Sequence, residues 1–506
     1  MNRKVVSNRG WLGWIERSGN ALPDPVSLFL LLIGLVMGLS ALLSTLGVEA
    51  THPGTGEVIR VQNLFSAELI RRLLTEMPRT FASFPPLGLV LVVMLGIGVA
   101  DKTGLIAAAL RGVLRRVPSK LLSAAVVFVG IMSSLAVDAG YVVVVPLGAF
   151  VFWAAGRHPL AGLAAAFAGV SGAFSANLLL TSLDPLLAGF TQSAAQLIDP
   201  NYIVRETANY YFIVALTPVL TLVGMAVTEW IVEPRLGVYR GEAEVADLPT
   251  ELSSEERRGL RWAGVALLGV LGLIGLLVLP SGAPLRGEDG SLTPFYSSIV
   301  ALMFLFFLIP GLAYGIATGR IKSDRDAVRM SSEAMADMAL YIVLAFAAAH
   351  FIAAFNWSNL GAILAIKGAE LLKSLGLSDV PLLLGLILVS AFINLFIGSA
   401  SAKWALLAPI FVPMFMLLGF SPELVQMAYR VGDSATNIIT PLLPYFPLIL
   451  TFALRYDRSA GIGTLIALML PYALAFLLAM MLVLVFWVLL GLPPGPDIPL
   501  RYDVSR

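Results

Sequence analysis

The sequence has no cysteine and very little charge, and both deficits narrow the range of possible functions. The absence of cysteine excludes disulfide bonds, thiolate metal sites and thiol catalysis. The three histidines, His52, His158 and His350, are too scattered to predict a metal cluster. Only 13% of the 506 residues are charged and the net charge is +1, so nucleic acid is not an expected partner.

The sequence motifs of several enzyme classes are missing as well. There is no G-x-x-x-x-G-K-[ST] phosphate-binding loop, which excludes direct ATP drive through that motif. There is neither G-x-S-x-G nor H-E-x-x-H, so an intramembrane hydrolase would have to use Asp184 and Asp433 as a catalytic dyad. We therefore predict that the chain is not an enzyme and needs no cofactor.

In place of charge, the sequence has long apolar segments. Hydrophobic residues make up 58% of the chain and mean hydropathy is +0.88. Apolar runs of about 20 residues, long enough to cross a bilayer, recur along the chain, and they predict an all-α polytopic membrane protein. The nine predicted transmembrane helices lie at 26–48, 85–100, 159–183, 207–232, 262–280, 295–316, 333–356, 424–450 and 460–490.

Two further apolar stretches, 119–156 and 380–419, are interrupted by small and polar residues. The interruptions are SSLAVDAG at 133–140 and GSASAKW at 398–404. Each stretch predicts a re-entrant helical hairpin that returns to the side from which it came. Lysine and arginine are concentrated in alternate loops, and cytoplasmic loops retain these residues. The amino terminus is therefore predicted inside and the carboxyl terminus outside.

The same layout predicts the organisation of the chain. Two cores each contain one hairpin and the spans that follow it, and the spans between the cores have few polar residues. The predicted parts are a cytoplasmic segment 1–25, the first two transmembrane helices with a long outside loop 26–118, a first repeat core 119–234, a cytoplasmic linker 235–261, scaffold helices 262–332, a second repeat core 333–490 and an outside tail 491–506.

A short sequence occurs in both cores. SANLLLTSLDP at 175–185 and SATNIITPLLP at 434–444 agree at five of eleven positions, and each follows a predicted hairpin. In the predicted topology the two copies cross the membrane in opposite directions. This arrangement is an inverted-topology repeat, which many secondary transporters use, and we predict a transporter of that class.

Five charged side chains fall within apolar segments: Asp138, Asp184, Lys403, Arg430 and Asp433. Each would cost roughly 2.5–3.5 kcal/mol at the bilayer centre if it faced lipid. We therefore expect them to line a polar cavity enclosed by protein.

The second copy of the repeat also contains closely spaced prolines. Pro441, Pro444 and Pro447 follow one another every three residues, so a straight helix through them is not expected. Unwound backbone at membrane depth is tolerated where it lines a cavity, and its carbonyl oxygens can bind an ion. Together with side-chain oxygens, these carbonyls predict a site for a coupling ion, Na⁺ or H⁺. The side chains expected to take part are Asp138, Ser175, Asn177, Asp184, Ser399, Ser401, Asp433, Ser434, Thr436 and Asn437.

Several of these side chains have more than one plausible role. The aspartates can bind an ion, carry a proton or form structural salt bridges. Arg430 lies three residues before Asp433, so it can pair with that carboxylate or hold a carboxylate of the substrate. Trp404 can stack on an aromatic substrate or anchor the chain at the membrane interface. Asn394 is an amide in an otherwise apolar helix and is expected to be functional, whereas Lys403 is expected to snorkel.

Five stretches of the sequence are distinctive: GVADKTGL at 98–105, VDAGYVVVVPLGAFVF at 137–152, SGAFSANLLLTSLDPLLAG at 171–189, INLFIGSASAKWALLAPIFVPMF at 393–415 and YRVGDSATNIITPLLPYFPLIL at 429–450. They closely resemble the AbgT family of p-aminobenzoyl-glutamate transporters, and the resemblance extends over almost the whole chain.

The resemblance implies bowl-shaped homodimers in the bacterial inner membrane, each protomer with nine transmembrane helices and two re-entrant hairpins. It implies p-aminobenzoyl-glutamate as substrate, with export of sulfonamide antimetabolites by some members. Pro422, between Ser421 and Glu423, otherwise suggests only the start of a helix. The positions that the resemblance marks as functional are Asp184, Asn394, Trp404, Pro422, Arg430 and Asp433.

Three functions within transport stay open at this point. The chain can import p-aminobenzoyl-glutamate or related aromatic carboxylates, or it can export sulfonamides. Because broken hairpins and inverted repeats also serve sodium–dicarboxylate symporters, that class is a further alternative. Of the residues named, Arg430 suits a carboxylate and Trp404 suits an aromatic ring, which favours an aromatic carboxylate as substrate.

Overall fold

The structure, a computed structural model, describes residues 23, 25–51, 56–114, 117–135, 140–239, 252–288 and 290–504. The described part is almost entirely helical. It includes one small antiparallel sheet, formed by β1 (Glu49–Thr51) and β2 (Val58–Arg60). Asp138 lies outside the described residues, and so does most of the predicted cytoplasmic segment 1–25.

The α-helices of the described residues are numbered in chain order. The first set is α1 (Pro25–Thr45), α2 (Ala67–Thr75), α3 (Met77–Ala82), α4 (Pro85–Lys102), α5 (Leu105–Leu114), α6 (Leu122–Met132), α7 (Val145–Ala154), α8 (Pro159–Phe167), α9 (Leu183–Ala195), α10 (Tyr210–Val227) and α11 (Glu233–Leu236). The second set is α12 (Ser254–Val278), α13 (Thr293–Ser297), α14 (Ile299–Ala317), α15 (Asp324–Asp337), α16 (Ala339–Trp357), α17 (Leu360–Ser374), α18 (Asp379–Asn394), α19 (Ala400–Met416), α20 (Pro422–Thr436), α21 (Phe446–Leu454) and α22 (Ile462–Leu489).

Seven helices of the described residues are long and apolar enough to cross a membrane. They coincide with seven of the nine predicted spans, and this confirms the prediction of an all-α protein with several apolar helices. The seven are Pro25–Thr45, Pro85–Lys102, Tyr210–Leu236, Ser254–Val278, Ile299–Ala317, Ala339–Trp357 and Ile462–Leu489.

The other two predicted spans are both broken helices. In the first, α8 continues through a π-helical turn at Ala168–Gly172, and the helix resumes only at Leu183 with α9. In the second, α20 ends in a 3₁₀ turn at Asn437–Ile439 before α21 begins at Phe446. The second break contains Pro441 and Pro444. These prolines interrupt the helix because a proline supplies no N–H and clashes with the preceding turn. We call these two stretches, 159–195 and 422–454, the broken segments.

The two predicted hairpins each consist of two short helical stretches. The first contains Ser119–Leu135 and Gly140–Ala154, and the second contains Asp379–Asn394 and Ala400–Met416. At 1.5 Å per residue, even a 17-residue helix extends only about 26 Å, less than the roughly 30 Å of a hydrocarbon core. The sequence analysis missed α17, a further helix between α16 and the second of these pairs.

Helix α20 lies in the middle of the protein. All of its residues from Pro422 to Thr436 are buried, and α9, α18, α19 and α22 pack around it. By contrast, α12 packs against α14 on one side and leaves large apolar side chains such as Trp262 and Leu268 exposed on the other. The selected polar residues of α20, from Pro422 to Thr436, therefore belong to the best-protected part of the described fold.

In each core, one glycine allows a broken segment to approach a neighbouring helix closely. A Cβ at Gly169 would lie 2.4 Å from the carbonyl oxygen of Val127, in α6. A Cβ at Gly432 would lie 2.4 Å from the carbonyl oxygen of Ile387, in α18. Any larger side chain would push the two backbones apart at these contacts.

We predict that Gly432→Ala destabilises the protein by about 1–3 kcal/mol, because the added methyl group overpacks the contact between α20 and α18. Thermal unfolding of the detergent-purified protein measures the effect. Gly385→Ala is the matched control, because Gly385 lies in α18 and a Cβ there meets nothing within 4 Å. Equal unfolding temperatures for the two variants would contradict the prediction.

Candidate functional site

Helix α20 presents a buried stripe of polar side chains. Glu423, Gln426, Arg430, Asp433 and Asn437 follow one another at intervals of three or four residues, which places them on one face of the helix. The whole stripe is buried. Because charges cannot stay unpaired at this depth, the partners of the stripe define the candidate site.

Arg430 joins the two broken segments. Its Nη1 donates to Asp184 Oδ1 at 2.7 Å, and both side chains are almost completely buried. The other oxygen of Asp184 accepts from the backbone N–H of Thr181 at 2.6 Å and from its hydroxyl at 3.0 Å. The possible pair between Arg430 and Asp433 is not the one formed, since Arg430 contacts the carboxylate of the other core.

Asp433 instead pairs with Lys403 from α19. Lys403 Nζ lies 2.5 Å from Asp433 Oδ1 and also donates to Asn394 Oδ1. The expectation that Lys403 snorkels is wrong. Its side chain is 0% exposed, because α19 packs on α20 and the ammonium group meets a buried carboxylate there. The two buried cations thus neutralise the two buried aspartates.

Asn394 ties the end of α18 to the end of α20. Its amide nitrogen lies 2.5 Å from the backbone carbonyl of Asp433, 2.8 Å from Thr436 Oγ1 and 2.9 Å from Asn437 Oδ1. The Thr436 hydroxyl is also within reach of the carbonyl of Ala391, at 3.2 Å. The structure therefore brings Asn394, Asp433, Thr436 and Asn437 together.

The broken segments touch each other directly. The backbone N–H of Ser175 donates to Ser434 Oγ at 3.0 Å, and Asn437 Nδ2 donates to the carbonyl of Ser171 at 3.4 Å. Asn177 faces the first hairpin, where its amide donates to Ser134 Oγ at 2.9 Å. The predicted ion-binding side chains of the first core are therefore divided between two contacts.

Trp404 is buried rather than placed at a membrane interface. Its ring stacks on Tyr429 with 4.3 Å between centroids, and it is 0% exposed. Its Nε1–H donates to Thr191 Oγ1 at 2.8 Å. The role of interfacial anchor is therefore wrong, and the Trp404–Tyr429 pair forms an aromatic wall beside Arg430.

A polar chain that sequence analysis missed continues from Trp404 along α20. The hydroxyl of Thr191 donates to Gln426 Oε1 at 2.6 Å, and Gln426 Nε2 donates to Asn209 Oδ1 at 2.9 Å. Asn209 Nδ2 then donates to the carbonyl of Glu423 at 2.8 Å. Glu423 and Gln426 could have been predicted from their spacing, because they precede Arg430 by seven and four residues and so share its helix face.

Pro422 occupies the first turn of α20, where a proline costs no hydrogen bond. Ser421 caps this helix by accepting from the N–H of Leu424. Pro422 lies about 12 Å before Arg430 along the helix axis, at about 1.5 Å per residue. Nearby, Tyr202 donates to Glu423 Oε2 at 3.0 Å. Burial raises the pKa of the Tyr202 hydroxyl well above its ordinary value, and the negative charge of Glu423 raises it further. The hydroxyl therefore stays protonated, and remains a donor, at neutral pH.

Two cavities meet at the start of α19. A cavity of about 310 Å³ reaches Ser401, Ser182 and the Lys102–Asp337 ion pair. A largely apolar cavity of about 450 Å³ lies on the other side and reaches Ser399. Ser399 caps α19, and its hydroxyl lies 3.1 Å from that of Ser401. The two predicted serines therefore line different cavities, Ser399 the larger one and Ser401 the smaller one.

Two buried polar atoms of the site have no hydrogen-bond partner among the described residues. They are Nε of Arg430 and Oγ of Ser175. An unsatisfied buried donor costs about 1–3 kcal/mol, so a group that supplies the missing acceptor would bind favourably. Arg430 can therefore donate to a further anion while Nη1 keeps its bond to Asp184.

Broken helices around paired buried charges, together with the seven long apolar helices of the described residues, define a multi-pass membrane transporter. Residues 10–502 match a family model described as "AbgT putative transporter family". The chain belongs to the AbgT transporter family. This assignment confirms the resemblance found in the sequence, and it confirms that the protein is not an enzyme.

Three relatives illustrate the match. The p-aminobenzoyl-glutamate transport protein of Escherichia coli (strain K12) is 43% identical over 489 residues, which is 96% of each chain. The crystal structure of the Alcanivorax borkumensis YdaH transporter matches with a TM-score of 0.90 and 47% identity, covering 94% of this chain and 100% of that one. Neisseria gonorrhoeae MtrF matches with a TM-score of 0.92 and 46% identity, covering 97% and 100%.

We predict that Asp184→Asn lowers stability by about 3–5 kcal/mol, because it leaves the Arg430 guanidinium buried without a counter-charge. The double variant Asp184→Leu/Arg430→Met should lose less, since it removes both charges. The thermal unfolding midpoints of the purified variants provide the measurement. Glu370→Gln serves as control, because it breaks only the exposed Lys367–Glu370 pair, worth about 0–1 kcal/mol. A double variant less stable than Asp184→Asn would argue against a charge-pairing role.

Proposed function

We propose that the chain is a secondary active transporter of p-aminobenzoyl-glutamate or related aromatic carboxylates. The observation that carries the proposal is the position of Arg430. Its guanidinium lies at the contact between the broken segments, beside the Trp404–Tyr429 wall, with one buried N–H free of partners among the described residues. A relative of the chain is named as the transport protein for p-aminobenzoyl-glutamate.

The same geometry suggests how substrate and ion are coupled. A substrate carboxylate that accepts from Arg430 Nε shares the guanidinium with Asp184, which pairs with no other cation among the described residues. A buried carboxylate that shares its counter-charge needs another cation, either H⁺ or Na⁺. Substrate binding at Arg430 therefore favours cation binding at Asp184, and the Ser175 hydroxyl is a further oxygen nearby in the same broken segment.

The proposed architecture has nine crossings, two re-entrant hairpins and an inverted repeat, with alternating access at the hairpins. The shortness of the four hairpin helices supports re-entry, and the break in each of the two segments that carry the repeated sequence supports the repeat. We further propose a homodimer in the bacterial inner membrane. The apolar face that α12 leaves exposed is a suitable surface for lipid or for a second protomer.

Export of sulfonamide antimetabolites is the second candidate function. A related structure, that of Neisseria gonorrhoeae MtrF, is described as illuminating a class of antimetabolite efflux pumps. A sulfonamide drug and p-aminobenzoyl-glutamate both present an aromatic ring with a polar group, so one aromatic wall beside an arginine suits either. Wild-type and deletion strains separate the two functions, because loss of an exporter raises sulfonamide susceptibility whereas loss of an importer lowers uptake of labelled substrate.

We predict that Arg430→Ala abolishes transport of p-aminobenzoyl-glutamate in proteoliposomes, whereas Arg430→Lys retains a small part of it. The reason is that lysine keeps the charge but not the forked geometry that holds a carboxylate. Initial rates are measured over a range of substrate concentrations, after the variants have been shown to be folded. Lys367→Ala, at an exposed ion pair, is the control and should behave as wild type. Unchanged transport by folded Arg430→Ala would refute the carboxylate role.

A further inference from the structure

The ammonium group of Lys403 lies inside the cluster that the sequence predicts as part of a cation site. Lys403 Nζ is 2.5 Å from Asp433 Oδ1 and also donates to Asn394 Oδ1. A carboxylate and an amide carbonyl are oxygen ligands of the type that transporters offer to Na⁺. The lysine therefore occupies the position from which a bound metal cation would contact both ligands.

The surroundings of Lys403 are sealed and their charges are balanced. On α20 it faces the carboxylate of Asp433, which also accepts from the neutral hydroxyl of Tyr429 at 3.2 Å. The nearby cation Arg430 is already paired with Asp184, and α18 contributes the neutral amide of Asn394. One carboxylate and one ammonium group thus cancel within the cluster.

A second cation would be unfavourable in this environment. Repulsion between like charges is much stronger in a buried site than in water, and Asp433 provides the one negative charge available to the cluster. Removing the ammonium group would reverse the balance, because Asp433 would then be buried without its Lys403 counter-charge, and Asn394 Oδ1 would lose the donor that it shares with Asp433.

We infer that Lys403 is the resident cation of this cluster, so that the cluster binds no Na⁺ while Lys403 is present and becomes a monovalent cation site when the ammonium group is removed. This goes beyond the proposed function, because it assigns a role to a residue that sequence analysis set aside. It also removes Asp433 from the ligands available to a coupling Na⁺.

Thermal unfolding in detergent tests the inference without any transport assay. Purified wild-type protein and the variant Lys403→Met are heated in NaCl, in KCl and in choline chloride at equal ionic strength. Wild type should unfold at the same temperature in all three salts. Lys403→Met should unfold at a lower temperature than wild type in choline chloride and recover by several degrees in NaCl, with saturation, because a ligand that binds only the folded state stabilises it.

The double variant Lys403→Met/Asp433→Asn is the matched control. It lacks the carboxylate as well as the ammonium group, so NaCl should give it no specific stabilisation. The inference would be overturned if Lys403→Met folds but unfolds at the same temperature in NaCl, KCl and choline chloride. Saturable stabilisation of wild type by Na⁺ that disappears in Asp433→Asn would overturn it too. If Lys403→Met folds only when NaCl is present during purification, that recovery supports the inference.

Transport in proteoliposomes supplies a second arm, and this arm rests on the proposed function. Because Lys403 already fills this cluster, any dependence of the wild-type initial rate on Na⁺ rather than choline should come from the Asp184 site. A wild-type chain that moves no substrate under any ion gradient contradicts the proposed function, and the thermal experiment still decides the role of Lys403.

Discussion

The need to pair charge at membrane depth is the constraint on which the rest of the structure depends. Arg430 and Lys403 are buried, and neither can be left without a carboxylate at acceptable cost. The carboxylates come from different places, Asp184 from the first broken segment and Asp433 from α20 itself. To form both pairs, α20 must be surrounded by helices of both cores. Its complete burial and the close glycine contact with α18 follow from that requirement.

Much of this could be predicted from the sequence because hydrocarbon penalises polar groups so strongly. Apolar length identified seven helices that the structure contains, and spaced prolines identified the break after α20. The cost of a lipid-facing charge indicated that Asp184, Arg430 and Asp433 had to lie inside. These inferences need only composition and local chemistry, and both are fully present in the sequence.

The choice of partners could not be predicted in the same way. Arg430 and Asp433 are three residues apart, which makes a local pair reasonable, yet each binds a residue from another helix.

Lys403 was misjudged because a long side chain in a membrane helix usually reaches the interface, whereas here a buried carboxylate lies within 2.5 Å. Gln426 was missed, although its spacing from Arg430 carries the signal, because an amide alone does not reveal the hydroxyl of Thr191 that it contacts. The partners of such residues depend on how the helices pack against each other, and residue spacing along one helix does not reveal that packing.

The short stretch at the start of α19 has a consequence for leakage. Gly398, Ser399 and Ala402 line one of the two cavities, while Ala400 and Ser401 line the other. A partition that includes the first turn of α19 therefore separates the two cavities. Its integrity depends on a single serine cap and on the packing of a few small side chains rather than on bulk protein. A membrane protein with such a septum can open a route by moving very few atoms, and for the same reason it must keep that septum tightly held whenever nothing is being carried.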